Sequence, residues 1–194
     1  GQALAEKPLA VAITEVLFAE GGLVYSTEKK YEHLLVNLYL PFVNLNLPGL
    51  SEKALSVFAG RNCQGIDLHG ATLREAHFER ADFEKANLKE ANLEWANLEK
   101  ADLREAHLES TDLQKTKLKG ADLKGAELGW ADWEEADLFG AQLTERDFHQ
   151  LPTIGVIEAR GISEAQKADL IVLALFELSI FSTRAYQLTA TRKT

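Results

Sequence analysis

Residues 81–105 read ADFEK-ANLKE-ANLEW-ANLEK-ADLRE, which is one five-residue pattern repeated five times. In each unit the first residue is small, the second is Asp or Asn, and the third is large and apolar. This register runs without insertion from Ile66 to Gln150, and the third position is large and apolar in all seventeen units from Leu68 to Phe148. A period of five fits neither a helix nor a strand. The pattern therefore predicts a solenoid, in which short repeats bury one another by stacking.

The units Ala86–Glu90, Ala91–Trp95 and Ala101–Glu105 closely resemble the repeats of the pentapeptide-repeat family. The resemblance implies an all-β solenoid core, a right-handed quadrilateral β-helix of about four coils with four pentapeptides in each. Since each coil then contains twenty residues, residues twenty apart stack vertically. The strands of adjacent coils lie about 4.8 Å apart. The stacked Leu and Ala residues would fill the interior and leave no cavity for a substrate.

Helical flanks are predicted on both sides of the array. We expect a helical N-terminal flank or cap over residues 1–60, the repeat β-helix over residues 61–150, and a helical C-terminal cap over residues 151–194. Open ends of a β-helix are sheet edges that recruit other chains, so terminal helices protect them. The N-terminal helices are expected at Pro8–Glu20, Thr27–Tyr39 and Glu52–Phe58, with residues 40–50 as a connection.

The C-terminal helix is predicted to open at a capping box formed by Ser163 and Gln166. It carries more apolar surface than one buried stripe requires, which also suits homodimerisation. The candidate residues for this cap or dimer contact are Leu173, Phe176, Ile180 and Phe181. The longest apolar run, Leu170–Phe176, is too short to span a bilayer, so no transmembrane segment is expected.

Enzymatic chemistry is not indicated. The repeat itself supplies the many surface carboxylates, and no pocket is expected to shield a pair of them for acid–base work. The histidines show no metal-ligand spacing, and the sequence contains no nucleophile triad. Glycine-rich phosphate loops are also missing, because Gly120, Gly125, Gly129 and Gly140 are expected at outward or corner positions. We therefore predict no catalytic residues, no cofactor and no metal. The lone Cys63 excludes an internal disulfide, is expected to face inward as a small apolar residue, and favours a cytoplasmic setting.

Negative charge is concentrated in the repeats. The chain has a net charge of −9, and residues 66–150 hold twenty acids against eleven bases, while the remainder is balanced. One side of the predicted coil, which bears Leu73, Leu93, Leu113 and Trp133, has a net charge of −4 and is called the acidic side below. Its acids are Glu75, Glu94, Asp112, Asp132, Glu134 and Glu135, against Arg74 and Lys115.

Three aromatic residues break the polar outer pattern, namely Trp95, Trp130 and Phe139. Aromatic residues of this size often anchor protein partners, although a flank folded over the column would bury them equally well. They fall on different corners or sides, which argues against one compact hot spot. The candidate interaction surface consists of Glu94, Trp95, Asp112, Trp130, Asp132, Glu134 and Phe139.

Two functions follow from these observations. The leading interpretation is a non-catalytic protein–protein interaction scaffold or accessory domain with an unknown protein partner and no direct nucleic-acid binding. The alternative comes from the resemblance, because some pentapeptide-repeat proteins mimic DNA and bind type II topoisomerases such as gyrase. An acidic rod suits that role. The chain departs from those members because it lacks their loop insertions and carries Lys and Arg on every side.

Overall fold

The computed structural model describes residues 38–46, 55–148, 151, 161–165, 167–168 and 171–172. The chain forms two compact units, Gly1–Gly161 and Ile162–Thr194. The predicted helix Pro8–Glu20, the capping residue Gln166 and the four candidate dimer residues of the C-terminal helix lie outside the described residues.

Parallel β-bridges join residues twenty positions apart throughout the array, from Asn62 with Asp82 to Asp122 with Gln142. Each bridge uses the second residue of a unit, and a two-residue turn follows each third residue. The strands are therefore single isolated bridges. Since turns recur every five residues and bridges every twenty, each coil has four sides. The vertical stacking of residues twenty apart, which the family resemblance implies, is confirmed by these bridges.

Asp and Asn recur at the second position because their side chains hold the turn that follows. The Asn87 Oδ1 accepts a hydrogen bond from the backbone N–H of Lys89 at 3.3 Å, and Asp82 Oδ1 does the same for Glu84 at 3.1 Å. Backbone bonds then tie the coils together, as where Leu88 N donates to His107 O at 2.8 Å. Each unit thus combines a local Asx turn with bonds to the coils before and after it.

The fifth residue of a unit turns the corner in a left-handed conformation. Its φ is 60° at Lys85 and 56° at Glu90, and glycine takes the same place at Gly120, Gly125 and Gly140. Glycine adopts this conformation without steric cost, whereas in other residues it is strained by the Cβ atom. The prediction that these three glycines serve corners is confirmed by their positive φ values.

The interior consists of stacked first and third residues. The third-position residues from Leu68 to Trp133 are fully buried, and nearly all first-position alanines are too. Two threonines replace alanine without leaving a polar group unpaired. Thr111 Oγ1 donates to the carbonyl of Leu88 at 2.8 Å, and Thr116 Oγ1 donates to that of Leu93 at 2.9 Å. The core therefore accepts a small hydroxyl where a backbone carbonyl lies within reach.

The coil begins earlier than the sequence register predicts. Tyr39 bridges Asp67 and Asn44 bridges Thr72, so residues 38–46 run beneath the first regular units with an offset of 28 instead of 20. Leu40 and Leu45 are buried there as third-position residues. The predicted helix Thr27–Tyr39 is therefore wrong at its C-terminal end, and residues 40–46 belong to the coil instead of a connection. An eight-residue excursion displaces these two units from the five-residue count.

Residues 55–60 also differ from the predicted helix Glu52–Phe58. They form a short 3₁₀ segment at 55–56 followed by turns at 57–60. Phe58 and Cys63 are in register with the array and fully buried. Phe58 fills the core against Phe78 and Phe83, with ring centroids 5.8 and 6.3 Å away. Burial in the column therefore decides the conformation of this stretch.

The seventeenth unit is not a repeat. Glu145–Phe148 forms a short helix, α1, so the prediction that Phe148 continues an internal ladder is wrong. Thr144 and Asp147 form a reciprocal capping box, with Asp147 N donating to Thr144 Oγ1 at 3.2 Å and Thr144 N donating to Asp147 Oδ2 at 2.9 Å. Asp147 Oδ2 also accepts from Gly125 N at 3.0 Å. The Asp147 carboxylate thus caps the N-terminus of α1 and also accepts a hydrogen bond from a backbone N–H of the coil.

The second unit is described only in short stretches. Residues 164–165, 167–168 and 171–172 are helical, and Lys167 N donates to the Ser163 carbonyl at 2.9 Å. They lie where the sequence predicts a helix opening at Ser163. Across the described parts of the chain, no helix has the length and apolar character needed to cross a membrane.

Candidate interaction surface

Carboxylates stack directly above one another on the acidic side. Asp112 bridges Asn92 below it and Asp132 above it. Burial raises the pKa of Asp112, and the charges of Glu94 and Asp132 raise it further. Gln114 holds this stack together, since its backbone N–H binds Asp112 Oδ1 at 3.1 Å and its Nε2 donates to Asp132 Oδ2 at 2.7 Å. The raised pKa of Asp112 therefore reflects its burial first and the neighbouring carboxylates second.

The lower half of the acidic side is partly neutralised. Arg74 pairs with Glu94 at 3.0 Å. Trp95 Nε1 donates to Glu94 Oε1 at 3.0 Å, and Lys115 Nζ lies 5.0 Å from the centroid of the Trp95 ring. Trp95 is 49% exposed, so one part of its ring is held against the column. Trp95 is thus a surface residue held by one hydrogen bond and one cation–π contact.

Trp130 is the most exposed large apolar residue of the described chain, at 87%, and it turns a corner with φ 61°. It directly precedes the run Ala131–Glu135, which carries Asp132, Glu134 and Glu135. Phe139 is 63% exposed, and Lys119 Nζ lies 5.9 Å from its ring centroid. Trp95, Trp130 and Phe139 are therefore all accessible in the structure.

The two tryptophans border the same side. Trp130 stands on the corner that begins the acidic side, and Trp95 stands on the corner that ends it. They are two coils apart, about 10 Å along the column at the usual strand spacing. The structure thus brings Glu94, Asp112, Asp132 and Glu134 together between two aromatic corners, while Phe139 lies on the next side. The tryptophans lie on different corners, as predicted, and both corners border the acidic side.

The structure also contains two clusters of ionisable side chains that the candidate interaction surface does not include. Asp82, Glu84 and Asp102 lie close together around Arg104, which contacts Glu84 at 3.0 Å and Asp102 at 2.6 Å. The hydrogen bond from Arg104 lowers the pKa of Asp102. This first cluster is therefore an ion-pair network that carries its own cation.

The second cluster joins His107, Glu109 and Glu127. His107 Nδ1 lies 2.9 Å from Glu127 Oε2, and Lys89 Nζ lies 2.6 Å from Glu109 Oε1. The pKa of Glu127 is lowered, first by hydrogen bonding with His107. A sequence search for second- and fourth-position residues offset by twenty would have found both clusters. Spacing along the linear chain conceals them.

Cys63 faces the interior and is fully buried. Burial raises the pKa of its thiol to about 12. At neutral pH the sulfur is therefore protonated, and it behaves as the small apolar residue that the sequence predicts.

These features define a class, a β-solenoid built from five-residue units with an acidic outer face. Three overlapping stretches, residues 62–99, 86–125 and 118–150, match the family described as pentapeptide repeats, in 8 copies. The repeat array of this chain belongs to the pentapeptide-repeat family. Proteins of this family fold as right-handed quadrilateral β-helices, in agreement with the four-sided coil of the bridges. No curated protein sequence matches the chain.

Solved structures of similar proteins are also pentapeptide-repeat proteins. Rfr23 from the cyanobacterium Cyanothece 51142 is 28% identical over 60% of this chain and 92% of its own, with a TM-score of 0.45. HetL, involved in heterocyst differentiation regulation in the cyanobacterium Nostoc sp. strain PCC 7120, is 30% identical over 54% of this chain and 45% of its own, with a TM-score of 0.37. A trypsin-treated form of QnrB1, a plasmid-mediated fluoroquinolone resistance protein, is 22% identical over 55% of this chain and 65% of its own, with a TM-score of 0.26.

Proposed function

We propose that this chain is a non-catalytic protein-interaction scaffold whose acidic side and Trp130 bind a basic surface of a protein partner. The observation that carries the proposal is the 87% exposure of Trp130, which stands at the corner where the acidic side with Asp132 and Glu134 begins. Binding energy at protein interfaces is concentrated in a few residues, and tryptophan is enriched among them. A tryptophan flanked by carboxylates offers both an anchor and a charge that steers a cationic partner.

The local energetics support a role for Trp130 outside the fold. Its left-handed backbone costs about 1 kcal/mol relative to glycine, and its exposed ring buries little surface in return. The same column holds Gly70, Glu90 and Ser110 at the equivalent corners. The corner therefore tolerates small and polar residues, and its geometry has no need of a large aromatic side chain.

Affinity capture from an extract of the source organism tests this proposal. We expect Trp130→Ala to reduce capture of the partner at least tenfold, because it removes the anchor. Asp132→Asn with Glu134→Gln should weaken capture mainly at low salt, since charge steering is screened by ions. Ser110→Ala, in the same corner column, is the matched control and should change nothing. A captured set that is identical for wild type and all variants would refute the proposal.

A second candidate function is a DNA mimic that binds a type II topoisomerase such as gyrase, favoured by the net charge of −4 on the acidic side. The pairing of Arg74 with Glu94 and the position of Lys115 over Trp95 interrupt that charge. We therefore expect no inhibition of gyrase supercoiling. Strong inhibition at stoichiometric protein, lost with salt and on reversal of Glu94, Asp112 and Glu134 to Lys, would favour the mimic over the scaffold.

The wider architecture forms part of the proposal. We infer about four coils over residues 61–144, helical caps over residues 1–60 and 151–194 apart from the coil at 38–46 and the turns at 55–60, and a cytoplasmic setting. The coils and caps rest on the five-residue register and on the cap signals in the sequence, and the setting rests on the lone Cys63.

Homodimerisation through the C-terminal helix is a further part of the proposal. It rests on the apolar surplus at Leu173, Phe176, Ile180 and Phe181. We expect light scattering to give a dimer mass for the wild type and a monomer mass for Phe176→Glu with Ile180→Glu. Charged side chains oppose burial in an apolar contact. A wild-type protein that stays monomeric at high micromolar concentration contradicts the dimer and leaves the scaffold proposal standing.

A further inference from the structure

The cluster of His107, Glu109 and Glu127 lies on the side adjacent to the acidic side, and the fold fixes its geometry. His107 and Glu127 are second-position residues of successive coils and form a β-bridge. Glu109 is the fourth residue of the unit to which His107 belongs. The His107 Nδ1 lies 2.9 Å from Glu127 Oε2 and 3.9 Å from Glu109 Oε2, and all three ligand atoms lie within 4.8 Å of one another.

One carboxylate oxygen of this cluster is buried without a partner. Glu109 Oε2 has almost no accessible surface and accepts no hydrogen bond, while Oε1 of the same carboxylate pairs with Lys89 at 2.6 Å. Leaving a buried carboxylate oxygen unpaired costs free energy. Two carboxylates share a single ammonium group here, so a negative charge remains when His107 is neutral.

Gly129 opens the space above Glu109. It is the fourth-position residue of the next coil, twenty residues on, and lies directly over Glu109. It is absent from the left-handed residues, and a Cβ placed on it would meet nothing within 4 Å. Neither its backbone conformation nor its packing requires glycine. A side chain at this position would lie over Glu109, and Gly129 leaves that space open.

We propose that His107, Glu109 and Glu127 bind one Zn²⁺ ion, with water completing the coordination. Zinc bonds to imidazole nitrogen and carboxylate oxygen are about 2.0–2.2 Å long, and tetrahedral geometry then separates neighbouring ligand atoms by roughly 3.3–3.5 Å. The observed separations of 2.9 and 3.9 Å bracket that range. An imidazole ligand favours zinc over magnesium or calcium, which prefer sets of oxygen ligands. The sequence-based expectation of no metal site did not include pairs of His and Glu on successive coils.

The chain contains an incomplete copy of the same arrangement. His77 and Glu79 occupy the equivalent second and fourth positions, with Nδ1 and Oε1 3.4 Å apart, but Asn97 stands where Glu127 stands in the cluster. Asn97 Nδ2 donates to Glu79 Oε1 at 2.7 Å. An amide donor therefore replaces the second carboxylate and satisfies the first. The proposal assigns zinc binding to the His107 copy alone.

Calorimetric titration of the tag-free full chain with ZnCl₂ at neutral pH, in a buffer that does not chelate metals, tests the site. We expect one ion per chain and a rise in melting temperature with zinc. His107→Ala and Glu127→Gln should each weaken binding at least tenfold, because each removes a ligand. His77→Ala should bind zinc like the wild type. Asn97→Glu completes the second copy and should raise the stoichiometry to two.

Three outcomes would overturn the proposal. The first is a wild-type protein that shows neither heat nor a shift in melting temperature up to millimolar zinc. The second is undiminished binding by folded His107→Ala, with circular dichroism as the check on folding. The third is an Asn97→Glu variant that folds and still binds a single ion. None of these results bears on Trp130 or on the partner of the acidic side.

Discussion

Replacing Leu108 by Asp is expected to unfold the repeat column. Leu108 is fully buried in the ladder between Leu88 and Leu128. An unpaired carboxylate in this apolar interior costs several kcal/mol, even when it escapes part of the cost by taking up a proton. Native domains are stable by only about 5–15 kcal/mol, so the loss is a large share of the total. Circular dichroism and thermal melting should show loss of the cooperative transition.

Ser110→Asp is the matched control for this variant. It introduces the same side chain two residues further on, where Ser110 is exposed at a left-handed corner. Aspartate tolerates that conformation better than most residues do. The change in stability should stay within about 0.5 kcal/mol. If Leu108→Asp and Ser110→Asp lowered the free energy of unfolding equally, the third position could not be the inward one and the fifth position the outward one.

Removing the carboxylate of Asp147 should give the second large effect. Asp147 is 2% exposed, and its Oδ2 accepts hydrogen bonds from the backbone N–H groups of Gly125 and Thr144. Asp147→Ala leaves both donors without this acceptor. Gly125 and Thr144 are exposed residues and their N–H groups can turn to water, so the cost is that of the lost hydrogen bonds, about 1 kcal/mol for each. We expect a lower midpoint in urea with an unchanged slope. Unaltered stability would show that these bonds are replaced by water.

The same residue predicts a dependence of stability on pH. Burial raises the pKa of Asp147, but hydrogen bonding with the Thr144 hydroxyl and from the backbone of Gly125 and Thr144 outweighs it, so the folded-state pKa lies below the usual value. The stabilisation is therefore present above the unfolded pKa of about 3.9 and is lost as the pH falls through the lower folded value. Asp147→Asn cannot titrate, so its loss of stability relative to wild type should shrink between pH 5 and pH 2. A constant difference across that range would contradict the assignment.

The ladder residues and the corner glycines could be predicted because a single register determines both. Leu40 and Leu45 could not, because an eight-residue excursion puts them out of phase although they stack in the same column. Phe148 kept the phase and still left the coil, because the capping box of Thr144 and Asp147 favours a helix. Local hydrogen bonding overrode the repeat at that point.

The candidate sites could also be predicted only in part. Accessible tryptophans and clustered acids were visible as departures from the repeat, so the surface residues could be named in advance. The group of His107, Glu109 and Glu127 was not found, since its members matter only as pairs across coils. Pairing of these side chains depends on the twenty-residue offset, which the spacing of the histidines along the chain does not show. In a repeat protein, side chains that act together can therefore belong to one vertical column, twenty residues apart, instead of one stretch of sequence.

The excursion between residues 46 and 55 bears on how such a chain changes in length. The bridges keep their partners across it, with an offset of 28 where the other bridges have 20. The bridges on both sides of these eight extra residues therefore remain in register, whereas one extra residue within a side would turn apolar residues outward in every later unit. Duplication of one whole coil preserves every contact and only lengthens the column. Evolution can therefore alter the span of the acidic face in coil-sized steps without redesigning the interior.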